Sequence, residues 1–280
     1  MHKDIVDNPS TGRSPLAFFV LMFALSIPLS LAGTLMEREL LPGLPLSALV
    51  VPFCPLIAAA VLVYRENKLQ GVIDLLKRTF DYKRVTAKVW FIPTVLLMPG
   101  VMILEYGLLR LMGSSIPAPQ FSLWTSLILF GAFFIAAAGE ELGWMGYAID
   151  PLQDRLQALP ASIVLGVVWT VWHFILLAQV SRSPAWIAWW SVATVAQRII
   201  IVWLYNNTGK SVFIAVVYHA MMNLTWQLFP INGSYYEPRI TALIVAPIAI
   251  MVSVMWGPKT LAQYRYARSG TEVRLGTTQA

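Results

Sequence analysis

The chain is expected to fold as an all-α polytopic membrane protein, with about eight transmembrane helices around an intramembrane polar cavity. Three observations predict this. Of the 280 residues 58% are hydrophobic and only 12% charged, about half the share a soluble domain carries; mean hydropathy is +0.66. Charge-poor stretches of bilayer length recur from residue 14 to residue 258. Four of the six ionisable side chains inside those stretches fall in three short motifs. Cys54 is the single cysteine, which excludes a disulfide scaffold, and the apolar content excludes a disordered chain. The net charge of +6 suggests nucleic acid at first sight. The basic residues lie in loops, however, so they are read as topology and no nucleic-acid partner is expected.

A hydrocarbon core about 30 Å thick needs roughly 20 apolar helical residues. Eight stretches qualify: 14–36, 40–64, 89–109, 111–148, 156–181, 183–209, 211–236 and 240–258. The first is longer than a signal-peptide core and is expected to stay as an anchor. The fourth is too long for one span, and Pro117 and Pro119 mark its beginning as loop, so its helix should start near Phe121 or Ser122. Between the second and third, residues 65–88 mix Val72, Ile73, Leu75, Leu76 and Phe80 with basic residues, the pattern of an amphipathic helix on the inner leaflet. Residues 1–14 form a cytoplasmic tail, 15–258 the membrane domain, and 259–280 a polar, loosely ordered tail. No internal repeat and no soluble domain is evident.

The charges set the expected orientation. With eight alternating spans, the termini and the loops at 65–88, 149–159 and 206–210 share one face and hold fifteen Lys and Arg; Arg38, Arg110, Arg182 and Arg239 hold the other. The positive-inside rule then puts both termini in the cytoplasm. The protein is expected to be multi-pass and integral, in a prokaryotic plasma membrane since no retrieval signal is evident. The sequence carries no signal of oligomeric state.

An ionisable group inside a span costs about 2.5–3.5 kcal/mol on insertion scales, so each needs a reason. The set is Glu105, Glu140, Glu141, His173, Arg198 and His219, joined by the polar Asn223. Adjacent Glu140 and Glu141 repel if both are ionised, so one needs a raised pKa or a cationic partner. Gly139 and Gly143 form a small-residue step that lets another helix approach this pair. His173 lies in WTVWHF, in a span with no other charge; His219 and Asn223 stand four apart on one helix face. A carboxylate and an imidazole on facing helices can hold one water, the carboxylate taking its proton. A second imidazole and an amide N–H can stabilise an oxyanion, and His219 with Asn223 is the pair suited to that. The same Glu140, His173 and His219 also make a three-donor zinc set with an open position, although no H-E-x-x-H run favours it.

Glu140-Glu141, then Trp169-x-x-x-His173, then His219-x-x-x-Asn223 resemble the CPBP (Abi) family of intramembrane proteases, which includes the type II CAAX prenyl endopeptidases. Its pattern is EExxxR, an aromatic residue (usually Phe) four before a His, and HxxxN or HxxxD. The resemblance covers roughly 120–230. It implies an eight-helix fold with a conical cavity open to cytosol and membrane, and a metal-independent glutamate mechanism needing no cofactor. By position it implies that Glu140 and His173 activate water, that His219 and Asn223 form the oxyanion hole, and that Glu141 and Trp169 support them. The implied substrate is a membrane-associated peptide or protein: a lipidated C-terminus, a bacteriocin-like peptide or a transmembrane segment.

The family's arginine position holds Met145, so the cation four residues after Glu141 is missing. Either Glu141 stays protonated or another helix supplies the charge, and Arg198 is the candidate unless it pairs with Glu105 instead. Met145 also favours a second reading, a non-catalytic scaffold or immunity factor on the same fold. A third, a proton-coupled carrier, uses the same buried groups but lacks an inverted repeat.

Overall fold

A computed structural model describes residues 12–35 and 39–263. It is almost wholly helical: α1 Pro15–Thr34, α2 Cys54–Lys77, α3 Phe91–Leu111, α4 Leu123–Gly143, α5 Ile149–Leu156, α6 Ala158–Gln179, α7 Pro184–Asn207, α8 Val212–Leu228 and α9 Pro238–Trp256. Among the described residues six helical stretches are long and apolar enough to cross a membrane, and α8 is a shorter apolar helix. The protein is therefore an all-α polytopic membrane protein. Many large apolar side chains point outward, among them Leu16, Ile103, Trp124, Ile128 and Leu243, as expected where the solvent is lipid rather than water.

Several helices begin where side chains satisfy their first N–H groups. The Ser14 hydroxyl accepts from Ala17 N at 3.2 Å, Ser122 from Thr125 N at 3.0 Å and Ser183 from Trp186 N at 3.2 Å. Pro15 and Pro184 follow their caps as the first helical residue, where the missing N–H does no harm. The start of α4 at Leu123, capped by Ser122, falls where Pro117 and Pro119 placed it.

The stretch 40–64 departs from the expectation of a full span. Residues Glu39–Leu41 and Leu44–Pro45 pair as a short hairpin (β1 and β2) around Pro42 and Gly43, and 3₁₀ turns at Leu46–Leu49 and Val51–Phe53 lead into α2. Four prolines shape this: each removes a backbone donor, Pro42 and Pro45 follow the extended residues Leu41 and Leu44 of the hairpin, and Pro52 and Pro55 sit in the first turns of a 3₁₀ turn and of α2. Helix α2 thus has only eleven apolar residues, 54–64, before its charges begin. That is about 16 Å of helix, half a bilayer. It starts deep in the bundle because its N-terminus packs on Gly139 and Gly143 of α4. A Cβ on Gly139 would lie 2.8 Å from Pro52 O, and one on Gly143 2.6 Å from Pro55 O. The small-residue step therefore admits a helix start rather than a helix flank.

Helix α2 breaks at Asn67 and Lys68, the latter at φ 54°. Its second half carries Gln70, Asp74 and Lys77 outward, buries Leu75, and leaves Leu69, Ile73 and Leu76 exposed. The amphipathic pattern read over 65–88 is thus a short helix followed by 3₁₀ turns at Arg78–Phe80 and Tyr82–Arg84. Between α4 and α5 the chain winds as a wider π-turn, Trp144–Ala148, all of it buried.

Helix α7 packs between α6 and α9, while α4 packs on α8 and α2. Residues 259–263 are not the loose tail expected. Backbone carbonyls of Pro258 and Lys259 accept from Leu159 N and Ala158 N, both at 2.9 Å. Asn206 and Asn207 donate to the carbonyls of Thr260 and Leu261 at 2.8 and 2.7 Å. These bonds tie the segment that follows α9 to the α5–α6 corner and the end of α7. The remainder of the expected tails, 1–11 and 264–280, lies outside the described residues.

Candidate active site

Helices α4, α6 and α8 bring the three sequence motifs together, and α7 completes them. Glu140, Trp169, His173, His219 and Asn223 all line one cavity of about 170 Å³. Glu140 and His219 are almost fully buried, whereas His173 and Asn223 keep part of their surface open. On α6 the i,i+4 spacing sets Trp169 and His173 on one face, and on α8 the same spacing aligns His219 with Asn223.

Trp169 is the hub. Its indole Nε1 donates to Glu140 Oε2 at 2.8 Å. Its ring meets the rings of His173 and His219 edge-on, with centroids 5.5 and 5.1 Å away, and the Arg198 guanidinium stacks on it 4.1 Å from the centroid. The sequence suggested only an aromatic wall here. The indole N–H, which a phenylalanine lacks, gives Glu140 a fixed donor.

Glu141 turns away from the cavity into a buried cluster. Arg198 of α7 grips it with two bonds, Nη1 to Oε2 at 2.7 Å and Nη2 to Oε1 at 3.1 Å, and both side chains are fully buried. His219 Nδ1 lies 2.8 Å from Glu141 Oε1. Glu105 is elsewhere: its carboxylate accepts from Glu237 N at 3.0 Å and from the Thr241 hydroxyl, so it caps α9 and leaves Arg198 to Glu141. Met145 is wholly buried among apolar side chains in the π-turn. The cation missing from α4 thus comes from α7, by the fork geometry that suits a planar carboxylate.

The partners fix which ring nitrogens carry protons. His173 Nδ1 is 2.9 Å from the Trp169 carbonyl, which can only accept, so Nδ1 donates and Nε2 is the remaining nitrogen. His219 Nδ1 faces a carboxylate already held by Arg198, so it too donates and leaves its Nε2.

Residues not singled out from the sequence also line the cavity: Thr194 and Gln197 from α7, and Arg182, Trp186, Trp226 and Tyr236 toward its outer end. The Tyr218 hydroxyl donates to Gln197 Oε1, holding that amide. A neutral polar pair on an otherwise apolar helix was the available signal for Thr194 and Gln197. Arg182 had been counted only as a loop charge. No cluster of three or more His, Cys, Asp or Glu is arranged to hold a metal among the described residues.

The outer end of the cavity lies with the α1–α2 hairpin and the α6–α7 and α8–α9 connections, the face that carries few basic residues.

Fold and site together define a polytopic membrane protein whose polar residues converge on an intramembrane cavity. A family model described as "Type II CAAX prenyl endopeptidase Rce1-like" matches residues 122–225, the segment that holds all three motifs. The chain is 31% identical over 237 residues to "CAAX prenyl protease 2" of Methanococcus maripaludis, covering 79% of this chain and 83% of that protein. The chain belongs to the Rce1-like type II CAAX prenyl endopeptidase family and is an intramembrane peptidase.

Proposed function

We propose that this protein hydrolyses a peptide bond near the C-terminus of a prenylated, membrane-associated peptide or protein, using a water activated by Glu140 and His173. The observation that carries the reading is the convergence of Glu140, His173, His219 and Asn223 on one cavity. A water held between the Glu140 carboxylate and His173 Nε2 gives its proton to the carboxylate as its oxygen attacks the scissile carbonyl carbon. The carbonyl oxygen becomes an oxyanion. In this scheme an N–H at His219 Nε2, with Nδ1 engaged by Glu141, and an N–H of the Asn223 amide donate to it. Collapse breaks the C–N bond, and the proton on Glu140 passes to the leaving nitrogen, giving a carboxylate and an amine. Arg198 acts through Glu141 and Trp169 rather than on substrate. The prenyl chain stays in the bilayer, so the bond to be cut is delivered at membrane depth. No metal is required by this scheme, since both the base and the oxyanion donors are side chains.

The test is cleavage of a farnesylated C-a-a-X peptide by the purified protein. Glu140→Gln is expected to lower turnover by at least about 100-fold, the range for a lost general base, with the unfolding temperature unchanged. Retained cleavage by that variant overturns the mechanism.

A further inference from the structure

At the outer end of the cavity stands a cation that the hydrolytic scheme does not use. Arg182 follows α6, and its side chain has no ion-pair partner or hydrogen-bond acceptor among the described residues; Nε is enclosed and unbonded. The guanidinium is nonetheless braced. Its carbon lies 4.6 Å from the centroid of the Trp186 ring. Its Nη2 presses on Gly43, where a Cβ would stand only 2.5 Å away and where φ is +74°. Two elements far apart in sequence thus hold this guanidinium at the wall of the chamber that also holds His173 and Glu140.

A row of aromatic rings joins this charge to the reacting groups. His173 meets Trp190 at a tilt with centroids 5.3 Å apart, Trp190 lies nearly parallel to Trp186 at 6.5 Å, and Trp186 carries Arg182. Arg182 stands nine residues beyond His173, about 13–14 Å at the usual helical rise before the reach of its own side chain is counted. An extended segment of three residues spans roughly 10 Å. The interval is walled by Leu176, Leu177 and Trp226, which suits the two aliphatic residues of a C-a-a-X end.

We propose that Arg182 binds the free C-terminal carboxylate of the substrate, and so sets the cut three residues from the chain end. This rests on the peptidase reading above and adds the group that measures the distance. A guanidinium stacked on an indole is a fitting receptor for a carboxylate, because its planar fork is pre-oriented and already desolvated on one side. The same contact rejects internal peptide bonds, which present no terminal charge at that distance.

The experiment compares a farnesylated C-a-a-X peptide with its C-terminal amide, on the full-length protein in detergent. The native protein is expected to favour the acid over the amide by at least about tenfold in kcat/KM, the scale of one charge-assisted hydrogen bond. In Arg182→Met the ratio should fall to near one, and Arg182→Lys should restore part of it. Binding of the same two peptides to Glu140→Gln, followed by displacement of a fluorescent analogue, reads the subsite without any turnover. If the amide is cut and bound as well as the acid by the native protein, or if Arg182→Met keeps the preference, the proposal is overturned. Should the native protein cleave neither peptide while Glu140→Gln still prefers the acid through Arg182, the subsite stands and the hydrolytic reading falls.

Discussion

Arg198 on α7 and Glu141 on α4 form a two-bond ion pair, 2.7 and 3.1 Å, with both side chains fully buried. The pair lies beside the cavity rather than in it, and its second carboxylate oxygen orients His219. A buried pair of this kind adds little net stability over an apolar replacement, but it is costly to break on one side. That asymmetry makes its role separable.

Arg198→Met alone is expected to destabilise the protein by about 3–5 kcal/mol, because it strands the Glu141 charge. The double variant Arg198→Met with Glu141→Leu should recover most of the stability and still be inactive, since His219 loses the carboxylate that sets its orientation. Thermal unfolding and peptide cleavage on the same preparations check this. A stable and fully active Arg198→Met protein overturns the assignment.

Trp169→Phe removes the indole N–H that bonds Glu140 at 2.8 Å while keeping an aromatic ring, though a smaller one, against Arg198 and the two histidines. Turnover should drop by roughly tenfold or more, the worth of a hydrogen bond to a charged group, with the loss in kcat rather than KM. Steady-state kinetics decide it; an unchanged kcat means that Glu140 is positioned without the indole.

Gly143→Ala places a methyl group 2.6 Å from Pro55 O and Pro55 Cβ. The start of α2 must shift, at an expected cost of about 1–3 kcal/mol for overpacking. The unfolding temperature measures this, and the same variant should lose activity because Glu140 sits one turn away. An unaffected unfolding temperature argues against the tight contact.

Strong chelators are expected to leave turnover unchanged after prolonged incubation. Loss of activity restored by zinc, but not by magnesium, would instead assign a metal to Glu140, His173 and His219.

Much of this molecule was legible because lipid is a demanding solvent. Charge-poor stretches of bilayer length announced the helices, and every ionisable residue inside them required an explanation, which led to Glu140, Glu141, His173, Arg198 and His219. The stretch 40–64 misled because average hydropathy is blind to Pro42, Pro45, Pro52 and Pro55, which turn an apolar window into a hairpin, two tight turns and half a span. Trp169 was recognised as an aromatic wall, but periodicity says nothing about where an indole N–H points.

Composition and local spacing by themselves determined the membrane environment, most helix positions and the residues able to do acid–base chemistry, because those follow from transfer energies and the 3.6-residue turn. Tertiary structure alone decided that Arg198 pairs with Glu141 and not Glu105, that Trp169 bonds Glu140, and that Arg182 shares a chamber with His173. Those relationships depend on which helix faces cross and how closely, and here that is set by contacts between residues dozens of positions apart, such as Gly143 with Pro55 and Gly43 with Arg182.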